Sequence, residues 1–207
     1  MRLIQYINED TNINTTLPEL YELLKKDCKK YLKLLKGRTP LYRSMKSSNF
    51  VGIKKQRKNR RTQMITSLLV IVDKYLKEKN LPLRTESMIC TSNKNIRAIF
   101  GKDAYFIFPK DNFKFAIIRS SDMNFSSLNW NVDKLSDLAT DYKNTPNKKI
   151  YNEIISMLDW GIDGNSQSAF DEAYNKEYEM WFDCDEYYYV SVNDSMSAVA
   201  NLIKRGK

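Results

Sequence analysis

Glu177-Tyr178-Glu179-Met180-Trp181-Phe182-Asp183-Cys184-Asp185-Glu186-Tyr187-Tyr188-Tyr189-Val190 is the stretch whose reading decides the fold. Two aromatic arms, Met180 to Phe182 and Tyr187 to Val190, flank a polar break at Asp183-Cys184-Asp185. That pattern predicts two β-strands joined as a hairpin. Alternate side chains of a strand share a face, so Glu177 and Glu179 are expected side by side on the first arm. Neighbouring carboxylates repel, and the proton affinity of at least one rises unless a cation or a hydrogen-bond donor lies between them. Two readings stay open on these residues: a solvated strand edge blunted by charge, or a carboxylate pair aimed by a rigid scaffold.

The rest of the composition narrows the chemistry. A chain of 207 residues suits one domain with a sizeable core. The expected organisation is a single domain over 1–207, with a helical N-terminal lobe at 1–38, a core at 39–192 and a C-terminal helix at 193–207. Hydrophobic residues at 42% and aromatic residues at 12% are those of a folded globule. No apolar run approaches the ~20 residues needed to span a bilayer, and the longest, Ile65 to Val72, lies inside an amphipathic pattern. Met1 to Asp10 lacks a continuous apolar segment and carries Glu9 and Asp10, so no signal peptide and a cytoplasmic location are expected.

Cys28, Cys90 and Cys184 are unevenly spaced, with no CxxC and not one histidine in the chain. A zinc site or a disulfide framework is therefore not expected. Without histidine the Ser-His-Asp and Cys-His mechanisms are excluded, and a general base must be Glu, Asp, Lys or Tyr. The formal net charge of +9 favours polyanionic partners, nucleic acid first among them, although solubility alone also explains the balance.

Along the chain, Thr16 is placed to cap a helix with Pro18 and Glu19 in its first turn, whose leucines and Tyr31 form an apolar stripe until Gly37. Lysines 25, 26, 29, 30, 33 and 36 fill the opposite face, as a solvated surface would. Leu41 to Met45 reads as a short strand with Arg43 in its middle. Lys54, Lys55, Arg57, Lys58, Arg60 and Arg61 follow, a phosphate-seeking run with no acidic residue inside it. A second helix is expected from Thr62 to Asn80. Ser87 to Ser92 predicts a strand ending in small hydroxyls, with Asn93 capping a short helix to Phe100. Tyr105 to Pro109 and Phe113 to Ile118 predict another hairpin. Helices are expected at Val132 to Tyr142, Lys149 to Trp160 and Asp194 to Arg205, with 161–176 as a long loop leading into Glu177.

Three fragments now stand in order: Arg43 on an early strand, Cys90-Thr91-Ser92 at a strand end, and Glu177-x-Glu179 at the head of a late strand. The order resembles the Arg, Ser-Thr-Ser, Glu-x-Glu signature of the cholera-toxin-like mono-ADP-ribosyltransferases, which include bacterial toxins and phage enzymes. The resemblance spans about residues 41 to 190 and leaves the terminal helices outside it. One departure is Cys90 in the first place of the triplet, so the hydroxyl that usually helps hold the catalytic glutamate is absent or supplied elsewhere, by Thr91 or Ser87.

The resemblance implies an α+β fold, an ADP-ribosyltransferase-like split β-sandwich with an N-terminal helical lobe. It also implies NAD+ as co-substrate and no metal. Glu179 would stabilise the oxocarbenium-like centre at the nicotinamide ribose as nicotinamide leaves. Arg43 would hold the NAD+ diphosphate, and Thr91 and Ser92 the nicotinamide ribose; Tyr42 and Cys90 belong with them in the cofactor-binding set. Glu177 would face the incoming nucleophile. In this family Glu at the first position of the pair often accompanies arginine targets. The basic run at 54–61 and the net charge instead favour RNA or single-stranded DNA as acceptor. Phe170, Tyr174 and Tyr178 either stack on a base or pin the loop. The expected function is ADP-ribosyl transfer to a nucleic-acid base by a toxin or effector of phage–host conflict, with an antitoxin or chaperone as a further partner. The alternatives are transfer to protein arginine and a non-catalytic nucleic-acid-binding protein.

Overall fold

Residues 10–12, 17–47, 49–56, 66–95, 103–119 and 132–192 are described by the structure, a computed structural model. Among them are six α-helices and nine strands, the strands arranged in two antiparallel sheets, an α+β fold. The chain divides into two compact units: Met1–Gln56, Lys94–Asn112 and Cys184–Lys207 form the first, and Arg57–Asn93 with Phe113–Asp183 the second.

The first unit holds a five-stranded sheet in the order β1 (Asp10–Asn12), β3 (Val51–Lys55), β9 (Glu186–Ser191), β5 (Ala104–Pro109), β2 (Tyr42–Ser44). Its helices are α1 (Leu17–Asp27) and α2 (Lys29–Leu35). Leu20, Leu24, Cys28, Tyr31 and Leu35 are buried and the six lysines exposed, as the helical spacing predicts. The single helix expected here is broken at Cys28, with φ −127° and ψ 30°. Tertiary bonds explain the break. The Asp27 carbonyl accepts from Asp111 N at 2.8 Å, a donor from outside the helix. Asp111 Oδ1 in turn accepts from Lys30 N at 2.8 Å, capping α2 where Cys28 offers no side-chain cap. On β3, a Cβ at Gly52 would lie 2.3 Å from the hydroxyl oxygen of Tyr189, its cross-strand partner, so only glycine admits that ring.

The second unit holds a four-stranded sheet in the order β4 (Met88–Cys90), β8 (Glu179–Asp183), β6 (Lys114–Ile118), β7 (Ile162–Gly164). Its helices are α3 (Thr66–Glu78), α4 (Val132–Asn144), α5 (Lys148–Gly161) and α6 (Gln167–Lys176). Ala116, Ile118 and Trp181 project from one face into a core with Ile71, Val72, Tyr75 and Leu76 of α3, Leu135 and Ala139 of α4, and Ile154 and Leu158 of α5. Phe115 and Phe182 stack on one another at 5.7 Å, and Phe115 meets Phe170 of α6 edge-on at 5.8 Å.

Both expected hairpins are corrected. β8 and β9 belong to different sheets, and so do β5 and β6. The strands pair elsewhere: β9 with β3 and β5, β5 with β2 and β9, β8 with β4 and β6. The cause is visible in β5, buried at every position, and in β9, buried from Tyr187 to Val190. Strands so continuously apolar are interior strands that need a partner on each side. The loop expected at 161–176 is also corrected, since it contains β7 and the three-turn helix α6, whose N-cap Ser166 accepts from Ala169 N at 3.1 Å. The expected cap Thr16, the expected start of the second helix at Thr62, the greater part of the helix expected to end at Phe100, and the C-terminal helix lie outside the described residues. Among the described residues no helix is long and apolar enough to cross a membrane.

Candidate functional site

The site is built around Glu179, the first residue of β8. Glu179 stands opposite Ile118 of β6, and Trp181 stands opposite Ala116. Directly opposed residues share a face. The carboxylate therefore lies on the side of the sheet packed by α3, α4 and α5, and the residue is 5% exposed. Strand alternation puts Trp181 on that same face, where its indole Nε1–H donates to Glu179 Oε1. The guanidinium of Arg84, from the 3₁₀ turn Arg84–Glu86, lies 5.7 Å from the centre of the Trp181 ring. Burial pulls the Arg84 pKa down, and the carboxylates of Glu179 and Asp73 act against that pull. Asp73, on α3, is pushed above the usual carboxylate range by burial, against the nearby charge of Lys77. The result is a cluster of one indole and three ionisable groups beside the apolar core of Ile71, Val72, Leu76 and Ile118.

Glu177 stands in a different setting. It is the C-cap of α6, exposed, with φ 56° in the left-handed region. The expected shared face of Glu177 and Glu179 is thus corrected: strand alternation cannot relate the two, because only Glu179 is on the strand. Lys176 ends the helix, and the N–H groups of Glu177 and Tyr178 both donate to the Ala173 carbonyl, the latter at 2.9 Å.

Thr91 and Ser92, just past β4, tie down that same helix end. Thr91 Oγ1 donates to the Glu177 carbonyl at 3.2 Å and Ser92 Oγ to the Tyr174 carbonyl at 2.6 Å, satisfying acceptors that a helix C-terminus leaves open. Thr91 Oγ1 also accepts from Asn93 N at 3.1 Å. Cys90 is buried, opposite Met180 of β8. Ser87, one of the two hydroxyls considered as a brace for the glutamate, donates to the Leu83 carbonyl. Glu179 Oε1 accepts a hydrogen bond from Trp181.

The second unit therefore brings together Glu179, Glu177, Cys90, Thr91 and Ser92. Arg43 and Tyr42 stand on β2 of the first unit, Arg43 half-buried opposite Tyr105, and Tyr42 buried opposite Phe106 with ring centres 5.2 Å apart. Lys54 and Lys55 end β3, Lys54 opposite Asp10 and Tyr187, Lys55 exposed opposite Glu186. Arg57, Lys58, Arg60 and Arg61 lie outside the described residues. Phe170 is fully buried against Phe115, a pin for α6, whereas Tyr174 and Tyr178 are half-buried.

A clamp holds this frame from just past β6, at the end of the strand where Ile118 faces Glu179. Arg119 Nε donates to Glu172 Oε1 at 2.8 Å and its Nη2 to Glu172 Oε2 at 3.1 Å, a two-pronged bond to α6, while Nη1 donates to the Trp160 carbonyl at 2.6 Å. Sequence reading missed Arg84, Trp181 and Arg119. Trp181 alone carried a signal, its place two residues beyond Glu179. Among the described residues no cluster of three or more metal-ligating side chains occurs. No protein-family model matches the chain, and no characterised protein or solved structure compared with it matches either.

Proposed function

We propose that the chain is an NAD+-dependent mono-ADP-ribosyltransferase whose acceptor is a base of RNA or single-stranded DNA. The observation that carries the reading is Glu179: a buried carboxylate at the head of a central strand, bonded to an indole and placed next to a strand that is followed directly by Thr91-Ser92. A carboxylate screened from water stabilises developing positive charge far better than an exposed one.

The bond between C1′ of the nicotinamide ribose and the nicotinamide nitrogen breaks, and nicotinamide leaves with the electron pair. Glu179 stabilises the cationic C1′. A base N–H then attacks C1′, and the exposed carboxylate of Glu177 accepts the proton. In this reading Arg43, beside Tyr42, binds the diphosphate, and Thr91 and Ser92 form the wall of the ribose site; Cys90, expected with them, is corrected, since it pairs with Met180 on the face of the sheet opposite Glu179. Lys54 and Lys55, with Arg57, Lys58, Arg60 and Arg61, take the acceptor's phosphates. Two antiparallel sheets of five and four strands support an ADP-ribosyltransferase-like split β-sandwich as the finer description of the fold. The family resemblance extends the proposal to a cytoplasmic toxin or effector of phage–host conflict, restrained by an antitoxin or chaperone.

The test is transfer of label from NAD+ carrying radioactive adenylate to total RNA, single-stranded DNA and lysate protein. Label that needs Glu179 and yields to nuclease is the expected result. Label that resists nuclease and yields to protease would replace the base with a protein arginine. Absence of label, together with RNA binding that weakens when Lys54 and Lys55 are neutralised, would leave a non-catalytic binder.

A further inference from the structure

An ionised carboxylate buried among helices is costly unless a counter-charge and hydrogen bonds compensate it. Glu179 is so placed. Its cross-strand partner on β6, Ile118, offers no charge. One hydrogen bond to the carboxylate comes from Trp181. The indole donates to the carboxylate, and the guanidinium of Arg84 lies over the indole at 5.7 Å, within the reach of a cation–π contact.

We propose that Arg84 is a positioning residue, its guanidinium holding the Trp181 indole and, through it, the Glu179 carboxylate in the ionised, aimed state that ADP-ribosyl transfer requires. The catalytic consequence rests on the transferase reading, but the arrangement itself does not. A cation over the ring polarises the N–H toward its acceptor and fixes the ring's orientation. The Glu179 carboxylate in turn holds the Arg84 pKa up against the pull of burial. The other titratable groups around the cluster are Asp73 and Lys77 of α3 and Glu86 of the turn. Cys90 of β4, Arg119 after β6 and Glu177 ahead of β8 lie in the adjoining chain. Among these, Arg84 is the cation set over Trp181.

The test follows the Trp181 indole N–H resonance across pH, assigned by its loss in Trp181→Phe. In the wild type this resonance is expected to shift as Glu179 takes up a proton, and to lose that step in Glu179→Gln. Removal of the cation in Arg84→Met should move the step up by at least one pH unit, a tenfold rise in proton affinity. Arg84→Lys, which restores charge without the planar face, should recover at least half of the movement and serves as the second variant should the methionine chain fold poorly. The acid limb of nicotinamide release should move by the same amount, with KM for NAD+ changed less than twofold. A step at the same pH in wild type and Arg84 variants would overturn the proposal, as would an indole resonance with no step in any of them. An enzyme that releases no nicotinamide would refute the transferase reading instead, and the indole titration would still decide the role of Arg84.

Discussion

The two units bury polar groups beneath aromatic sheets by different means. In the five-stranded unit, tyrosine hydroxyls carry the burden: Tyr188 donates to Asp27 Oδ2 at 2.6 Å, Tyr105 to the Ser47 carbonyl at 2.8 Å, and Tyr31 accepts from Leu41 N at 2.9 Å. In the four-stranded unit the group under the sheet is Glu179, attended by Trp181 and Arg84. A neutral phenol is satisfied by one hydrogen bond, whereas a buried carboxylate also needs a counter-charge. The first arrangement fixes structure. The second holds a buried carboxylate bonded to an indole that carries a guanidinium over its ring, and that difference is why the candidate site is sought in the second unit.

The contrast is broken most severely at Trp181, which is both core and hydrogen-bond donor. Trp181→Ala is expected to cost about 3–5 kcal/mol in chemical denaturation. A cost below about 1 kcal/mol would mean that the ring is not the prop described here. In the first unit, Gly52→Ala drives a methyl into the Tyr189 ring and should cost about 1–3 kcal/mol in the same measurement. The outcome that contradicts the close approach is an alanine variant as stable as the wild type.

Each unit also pairs a buried tyrosine with an aspartate, Tyr188 with Asp27 and Tyr75 with Asp159. Burial, and then the bonded aspartate, raise both phenols above their ordinary value of 10.0. The folded chain thus keeps two protons that the unfolded chain gives up near pH 10, so stability should fall as pH rises beyond that value. Tyr188→Phe and Tyr75→Phe should each lose about 1 kcal/mol near neutral pH and show a shallower alkaline decline. Thermal unfolding from pH 8 to 11 reads both effects; parallel curves for wild type and variants would refute the assignment. The smallest effect belongs to Glu177, a side chain held in the left-handed region. Glu177→Gly should stabilise the chain by about 0.5–1 kcal/mol, whereas a loss of stability would show that its carboxylate has a structural partner.

Much of this was legible residue by residue. The strand at Arg43, the strand ending in Cys90, the aromatic strands around 180 and 188, and the helices near 132 and 149 follow from periodicity. What stayed hidden was pairing, because a turn signal such as Lys110-Asp111-Asn112 says that the chain reverses and not which ladder its arms join. Glu177 was misread since strand alternation was extended across a helix end, although Ser166 before the apolar Ala169, Phe170 and Ala173 marked a capped helix leading to it. Arg84 was invisible for a plainer reason: it sits in a short turn without periodicity, and only the fold brings it over Trp181.

Nicotinamide release from NAD+ by the purified chain and by Glu179→Gln addresses the role of Glu179 without reference to any acceptor. Wild-type release should fall at least ~100-fold in the variant, the scale of removing one preorganised electrostatic group from an active site, with circular dichroism unchanged. Equal release by both proteins, or none by the wild type, would contradict a catalytic Glu179.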